Sequence, residues 1–254
     1  MSMDGPIDLS EERKRLAASI AACPGAYVQD GLVSMHNHEF MSDPEFCAAY
    51  ARGVVAAGKD YGWHWRVHIG LWAASVARNL CGDFVECGVN AGFMSSSVMH
   101  YLGWNSLDRD FYLLDTFSGL DHRYVSDKEI ASGILEKNQE LKNLGFYVSG
   151  LESVRSNFSE WHRVKIIQGA IPETLHFVNT TQIAFLHIDL NCAPPEVAAL
   201  EYCWERLTKG APILLDDYAY HGYHHQKHAM DALARRLGIA IVSLPTGQGL
   251  IFKP

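Results

Sequence analysis

Carboxylates stand at the ends of several short apolar runs in this chain. Glu86 follows "DFV", Asp115 ends "FYLLD", Asp189 ends "IAFLHID", and Asp216 and Asp217 follow "PILL". Each run has the length of a buried strand. Parallel strands bind ligands beyond their carboxyl ends, and a buried carboxylate is costly unless it is paired or coordinates a cation. The pattern therefore predicts a ligand site at one rim of a sheet.

The segment "FVECGVNAG" at residues 84–92 carries glycines around a tight strand-to-helix turn. Its spacing is E-x-G-x-x-x-G, which differs from the G-x-G-x-x-G whose backbone amides cradle a pyrophosphate. An acid at Glu86 suits a ligand with an ammonium group, and Asp115 is placed to accept hydrogen bonds from ribose hydroxyls. Together they predict a nucleoside with a cationic amino-acid tail, such as S-adenosylmethionine. Taken singly, each also fits a plain βα turn or an N-cap.

Four motifs, in this order and at these intervals, resemble the macrocin-type sugar O-methyltransferases of antibiotic biosynthesis: "FVECGVNAG", "LLDTFSGL", "HID" and "LLDDY". The resemblance covers roughly residues 80–254. It implies a class I methyltransferase fold that uses S-adenosylmethionine together with a divalent metal, usually Mg²⁺. The cofactor-binding positions that it implies are Glu86, Gly88, Gly92, Asp115, Ser118, Gln168 and Gly169.

The same resemblance implies that Asp189, Asp216 and Asp217 are metal ligands. Three carboxylates that converge from adjacent strand ends would repel one another at neutral pH, and a hard cation removes that repulsion. Mg²⁺ prefers oxygen ligands and keeps positions open for water or substrate. For Asp216 and Asp217 alone, the alternative interpretation is an acidic helix N-terminus.

The residue two positions after Asp189 departs from the family pattern. Many members have a second acid there, which is a natural general base for the acceptor hydroxyl, whereas this chain has Asn191. Three interpretations stay open: another group is the base, the metal-bound alkoxide needs little help, or catalysis is lost. The candidate catalytic residues are Asp189 and His221, the latter because it follows Asp217 closely in sequence. His187 shares a strand face with Asp189, and it also fits a core histidine.

The elements that position these residues alternate between strands and helices after residue 80. Strands are predicted at 83–87, 111–115, 164–168, 183–189 and 212–216, with "IAIVSL" and "GLIFK" as a closing hairpin. This alternation indicates an α/β fold with a Rossmann-like, mostly parallel sheet, a C-terminal antiparallel hairpin and helices on both faces. Residues 1–80 show helical patterns, including a helix that begins at Ser42, has Pro44 in its first turn and ends at Gly58.

The chain is therefore predicted to have two parts, a helical cap or lid at residues 1–80 and a cofactor-binding methyltransferase domain at residues 81–254. The polar segment at residues 121–163 is too long for a bare βα connection. It predicts one or two inserted helices, and insertions of this kind often lie over an active site. The cap and the insertion are expected to form part of the acceptor pocket.

Length, net charge and cysteine content indicate the broad class of protein. The chain has 254 residues, a formal net charge of −8 and six scattered cysteines without a CxxC pair. These features favour a cytoplasmic protein with reduced thiols and argue against nucleic-acid binding as the main activity. No apolar stretch approaches the ~20 residues that span a bilayer, and residues 1–15 lack a signal-peptide pattern. We expect a small-molecule hydroxyl acceptor, with a sugar or glycosylated natural product as the leading class. Self-association fits the habit of the family.

Two other functions fit parts of the sequence. A non-catalytic binding protein that keeps the methyltransferase fold is favoured by Asn191, while the three retained aspartates Asp189, Asp216 and Asp217 count against it. A nucleotide-dependent oxidoreductase on a Rossmann-like sheet is disfavoured by the missing G-x-G-x-x-G.

Overall fold

A seven-stranded sheet lies at the centre of the computed structural model, which describes residues 9–148 and 150–254. In chain order the strands are β1 (Tyr27–Gln29), β2 (Leu32–Ser34), β3 (Asp83–Cys87), β4 (Phe111–Asp115), β5 (Val164–Gln168), β6 (Ile183–Ile188), β7 (Pro212–Leu215), β8 (Val242–Ser243) and β9 (Gly249–Phe252). The sheet has the order β5-β4-β3-β6-β7-β9-β8. Strands β3 to β7 pair in parallel, and β9 pairs antiparallel with β7 and β8. The predicted α/β fold with a closing antiparallel hairpin is confirmed.

Helices cover both faces of the sheet. They are α1 (Leu9–Ala21), α2 (Pro44–Ala57), α3 (His64–Arg78), α4 (Phe93–Leu102), α5 (Asp127–Ala131), α6 (Ile134–Asn143), α7 (Leu151–Phe158), α8 (Ala193–Trp204) and α9 (His224–Leu237). Successive side chains of a strand point to opposite faces, so Phe84 of β3 belongs to the apolar core that includes α2, α3 and α4, whereas Val85 and Cys87 belong to the core that includes α8 and α9. Burial on both faces explains why the strands are continuous apolar runs. No helix among residues 9–148 and 150–254 is long and apolar enough to cross a membrane.

Residues 1–80 are not helical throughout, contrary to the expectation from sequence. Strands β1 and β2 pair as an antiparallel hairpin. Its turn residues, Asp30 and Gly31, have φ values of 51° and 73°. A two-residue turn with two positive φ values is what an Asp-Gly dipeptide favours. The dipeptide between "YVQ" and "LVS" was therefore the signal that the helical interpretation missed.

Helix α2 begins one residue later than predicted. The N-cap is Asp43, whose carboxylate accepts the backbone N–H of Phe46 at 2.9 Å. The predicted cap, Ser42, belongs to a short 3₁₀ helix at Glu39–Ser42. Both residue types cap helices well, so the sequence alone did not separate two adjacent candidates. The helix ends at Gly58, which has a φ of 67°, as predicted.

The segment at residues 121–163 contains α5, α6, α7 and a 3₁₀ helix at His122–Tyr124 within its described part. Helix α5 begins with a capping box formed by Ser126 and Glu129. The Glu129 carboxylate also accepts the backbone N–H of Ala193 at 2.7 Å. This bond ties the insertion to the start of α8, beside the carboxyl end of β6.

Candidate functional site

A cavity of ≈ 440 Å³ opens at the carboxyl ends of the central strands, within the range of small-molecule sites. Its wall includes Glu86 from β3, Asp115 from β4, and Asp189 and Asp216 from the ends of β6 and β7. A smaller recess of ≈ 60 Å³ adjoins it and shares Gly88, Asp115 and Asp189 with it. Acids from four adjacent strand ends therefore meet in one cleft, where the topology of a parallel sheet places ligands.

The Asp115 carboxylate organises the loop between β3 and α4. It accepts the backbone N–H groups of Val89 at 2.7 Å and Asn90 at 2.8 Å, and also that of Phe117 at 2.6 Å. These bonds join the end of β4 to the predicted cofactor loop. Because each carboxylate oxygen has more than one acceptor site, Asp115 keeps capacity for a ligand hydroxyl at the border of the two recesses.

Three predicted cofactor glycines have backbone conformations that side chains rarely adopt. Gly88 has a φ of 91° and Gly92, which caps α4, has a φ of 90°. Gly169 has a φ of 145°, and a Cβ there would lie 2.5 Å from the Thr174 side chain. Gly88 and Gly169 line the smaller recess. Glycine is favoured at these positions because it adopts positive φ values without the strain that a side chain would add.

Glu86 is buried next to His187, its register partner on β6. Its Oε1 lies 2.9 Å from His187 Nδ1, while Oε2 has no hydrogen-bond partner in the part of the chain that the structure describes. Although burial lowers it, contacts with Asp216 and Glu86 raise the pKa of His187 to about 10. Glu86 belongs to the wall of the larger cavity, while this unpaired oxygen is itself buried. A buried carboxylate without a full set of partners suits a cationic ligand group, so Glu86 fits the ammonium of S-adenosylmethionine.

Arg66 of α3 places a buried guanidinium among three acids. Its Nη1 donates to the Asp216 carboxylate and lies 3.6 Å from Asp217 Oδ1, and its Nε donates to Asp30 Oδ2 at 3.2 Å. The second oxygen of Asp216 accepts Gln248 Nε2 at 2.9 Å. Burial raises the pKa of Asp216, but Arg66, His187 and Gln248 together bring that pKa well below its usual range. Both oxygens of Asp216 are thus engaged by protein donors.

The other two predicted metal ligands, Asp217 and Asp189, have raised pKa values, in contrast to Asp216. Burial and the neighbouring Asp216 raise the pKa of Asp217 to about 7. Burial, Asp216 and Asp217 raise the pKa of Asp189 well above its usual range. A divalent cation would relieve this repulsion, and Mg²⁺ often binds one or two carboxylates together with water. No cluster of three His, Cys, Asp or Glu side chains suited to a metal occurs among the described residues. Asp216 is engaged by Arg66 and Gln248, which leaves Asp189 and Asp217 as the remaining candidate ligands.

Several predicted positions lie away from the cavities. His221, the proposed substitute base, is exposed and lines neither recess, and the same holds for Ser118 and Gln168. Tyr223, two residues after His221, is buried and lines the larger cavity instead. The structure therefore does not bring His221 to Asp189, because the turn before α9 points it outward and Tyr223 inward.

The larger cavity is also lined by charged and polar residues that were not expected from the sequence, among them Asp30, Arg66, Lys137 and Tyr223. Lys137 comes from α6 of the insertion, and Asp30 comes from the missed hairpin. Arg66 lies in a helix whose pattern gave no functional signal. Tyr223 lies in the histidine-rich stretch "AYHGYHHQKH", two positions after His221, the residue that the sequence favoured as base.

The described geometry agrees with comparisons to known proteins. One curated relative, the 8-demethyl-8-(2,3-dimethoxy-alpha-L-rhamnosyl)-tetracenomycin-C 4'-O-methyltransferase of Streptomyces olivaceus, is 28% identical over 153 residues, which cover 57% of this chain and 56% of the relative. The matched region thus spans about half the length of that relative. Among solved structures, the O-methyltransferase NovP has a TM-score of 0.65 at 18% identity, covering 85% of this chain and 98% of NovP. The calicheamicin methyltransferase CalS11 has a TM-score of 0.60 at 16% identity, covering 99% and 94%.

The two structural likenesses concern the fold, which is that of known methyltransferases. A sequence model of the macrocin-O-methyltransferases matches residues 71–239, which include every strand-end acid described above. The match spans more than half of the chain, and the chain belongs to the macrocin-O-methyltransferase (TylF) family.

Proposed function

We propose that this protein is an S-adenosylmethionine-dependent O-methyltransferase that methylates a sugar hydroxyl on a small molecule. The observation that carries the proposal is the convergence of Glu86, Asp115 and Asp189 on one cavity in a chain of this family. The match to a methyltransferase of a rhamnosyl tetracenomycin supports a sugar on a natural product as the acceptor class.

The cofactor is proposed to lie across the two recesses. The adenosine would occupy the side of Asp115 and Gly169, where the smaller recess lies. The amino-acid tail would reach Glu86, whose Oε2 lacks a partner among the described residues. Gly88, between the two, allows close approach of the ligand to the backbone because it has no side chain. Gly92, Ser118 and Gln168 would support the surrounding loops.

The reaction forms one bond and breaks one bond at the methyl carbon. The acceptor oxygen attacks the methyl group, the carbon–sulfur bond breaks, and its electron pair stays on sulfur to give S-adenosylhomocysteine. The hydroxyl proton passes to the Asp189 carboxylate, which lines both recesses. A base in hydrogen-bond reach of the hydroxyl contributes about 10²- to 10⁴-fold to such a transfer.

A divalent cation, with Mg²⁺ the leading candidate, is proposed to bind at Asp189 and Asp217. When bound, it would supply the positive charge that acidifies a hydroxyl. Asp216 was predicted as a third ligand. Its oxygens are engaged by Arg66 and Gln248, so we assign it to holding Arg66 in place.

The cap and the insertion are proposed to form the acceptor side of the pocket. Tyr61 and Trp63 stack with ring centroids 4.4 Å apart, and Trp63 also contacts Phe93 and Phe146 edge-on. All four rings line the larger cavity. Rings of this kind offer flat apolar contact area, which suits the apolar part of a glycosylated molecule.

Calorimetric titration with S-adenosylhomocysteine tests the cofactor assignment. Wild type is expected to bind at micromolar concentration, and Asp115→Asn is expected to bind at least about tenfold more weakly, since each lost hydrogen bond to a charged group is worth about 1.5–3 kcal/mol. Asp108→Asn is the matched control, because Asp108 is exposed and pairs only with Arg163 among the described residues. Acceptor screening with Mg²⁺ would follow. Absence of binding to intact wild type would contradict the proposed function and favour a protein that keeps the fold for another purpose.

A further inference from the structure

Three hydrogen bonds connect the insertion to Asp189. Lys137 Nζ lies 2.9 Å from Tyr223 Oη, and Tyr223 Oη lies 3.0 Å from Asn191 Oδ1. Asn191 Nδ2 lies 3.2 Å from Asp189 Oδ1. All four side chains line the larger cavity. We call this set the Lys137–Asp189 chain.

The donors and acceptors of the Lys137–Asp189 chain run in one direction only. An ammonium group can only donate, so Tyr223 accepts from Lys137 and turns its own O–H towards Asn191. The Asn191 carbonyl oxygen accepts that bond, and its NH₂ group must then face Asp189. An amide at position 191 completes this sequence, since it accepts on one side and donates on the other. An ionised acid there could accept from Tyr223 but could not donate to Asp189.

Packing holds the middle of the chain in place. Tyr223 is 7% exposed, and Lys137 Nζ lies 4.1 Å from the centroid of its ring. Asn191 has a φ of 59°, a left-handed conformation that Asn tolerates better than most residues. The other three members of the Lys137–Asp189 chain come from α6, from the turn before α9 and from the loop after β6. The Lys137–Asp189 chain therefore forms only when the insertion at residues 121–163 packs over the sheet.

We propose that Lys137 and Tyr223 are positioning residues that act through Asn191, which binds one oxygen of the Asp189 carboxylate, to orient that carboxylate in the cavity. This inference rests on the proposed methyltransferase function. It gives Asn191 a role at the position where the family resemblance implies an acid. The amide is part of a built arrangement, and it does not mark lost catalysis.

Steady-state kinetics of Tyr223→Phe and Lys137→Met test the proposal. The expected result is a fall in kcat of about tenfold or more, typical for loss of a residue that orients a site group, with KM for S-adenosylmethionine nearly unchanged. Tyr112→Phe is the matched control, because Tyr112 also donates to an Asn side chain, Asn179 Oδ1 at 2.7 Å, outside the cavities. Lys128→Met, at an exposed position of α5, controls for loss of a lysine from the insertion. Lys137→Arg is expected to restore part of the lost kcat.

Asn191→Asp separates the proposal from its main rival. If position 191 merely lacks a base, this variant raises kcat; if the amide orients Asp189, kcat falls. A rise in kcat, or kcat values of Tyr223→Phe and Lys137→Met equal to those of their controls, would overturn the inference.

A second measurement stays informative when no acceptor is found. The side-chain NH₂ signals of Asn191, assigned by ¹⁵N NMR with Asn191→Asp as the reference, are expected to shift or broaden in Tyr223→Phe and to be unchanged in Tyr112→Phe. Unchanged signals in Tyr223→Phe would reject the Lys137–Asp189 chain itself. If wild type binds no S-adenosylhomocysteine while Tyr223→Phe shows the expected change in the Asn191 signals, the proposed function is rejected and the Lys137–Asp189 chain is retained.

Discussion

The backbone of Asp189 lies directly against Gly88. A Cβ atom on residue 88 would stand 1.8 Å from the Asp189 main-chain oxygen. The Gly88 N–H donates to Leu114 O and the Asp189 N–H donates to Cys87 O, both at 2.8 Å. The proposed cofactor loop after β3 and the strand end that bears the proposed base are therefore in contact through main chain alone, with no side chain that could adjust.

Gly88→Ala is expected to be severely destabilising. The methyl group would overlap backbone, which cannot rotate away, and the φ of 91° adds strain for any side chain. We expect a loss of about 3 kcal/mol or more in the free energy of unfolding, measured by urea denaturation. Gly210→Ala is the control, since Gly210 also has a positive φ, of 82°, but no atom lies within 4 Å of its added Cβ. Equal losses in the two variants would show that the close contact with Asp189 does not decide the cost.

The neighbouring acids Asp216 and Asp217 are expected to respond oppositely to replacement by Asn. The folded-state pKa of Asp216 lies below its usual range, so its ionised form stabilises the fold above the unfolded pKa. Asp216→Asn should therefore cost about 3 kcal/mol, as for loss of one partner of a buried ion pair. The pKa of Asp217 is raised to about 7, so its ionised form opposes folding. Asp217→Asn should therefore stabilise the metal-free protein by roughly 1 kcal/mol near pH 8. Urea denaturation in a chelator measures both, and a shared sign would contradict this assignment.

Mg²⁺ is expected to raise the melting temperature more near pH 8 than near pH 6. A raised acid pKa means that the folded state binds the proton more tightly, so the metal-free protein loses stability as the pH rises from about 4 towards 7. A cation at Asp189 and Asp217 would replace that proton and return the lost stability. Thermal unfolding with and without Mg²⁺ at both pH values measures the difference. Asp217→Asn should remove the dependence, and a wild-type shift that is the same at both pH values would argue against metal binding at this pair.

The sheet and the rim of acids were predictable because both follow from local patterns. Strands such as "FYLLD" are apolar throughout, since they are buried on both faces. Acids at strand ends must face the same rim once the strands are parallel. Asp115 and Asp189 were therefore placed correctly by counting along the strands.

The positively charged side chains of the site, Arg66 and Lys137, were not predictable in this way. Arg66 meets Asp216 across 150 positions of sequence, and Lys137 meets Tyr223 across 86. No periodicity connects such residues, because tertiary packing alone brings them together. His221 was selected for its closeness to Asp217 in sequence, but side chains two residues apart in this turn face opposite sides, with His221 exposed and Tyr223 buried. Tyr223 is the residue that the turn directs inward.

The last prediction concerns the hairpin of β1 and β2, which the helical interpretation of residues 1–80 missed. Asp30, at its turn, accepts Tyr220 Oη at 3.1 Å and Arg66 Nε at 3.2 Å. Asp30→Asn keeps the size of the side chain and tolerates the positive φ, but it removes the charge that pairs with Arg66.

We expect Asp30→Asn to cost about 1–3 kcal/mol of stability and to speed amide hydrogen exchange at residues 27–34. Asp108→Asn, which alters an exposed pair with Arg163, should leave that exchange unchanged. If exchange in the hairpin does not accelerate in Asp30→Asn, other contacts anchor it, such as the bond from Tyr27 Oη to Gly62 O at 3.2 Å. If it does accelerate, the buried guanidinium of Arg66 anchors the hairpin of β1 and β2 to the acids of the site through its bonds to Asp30 and Asp216.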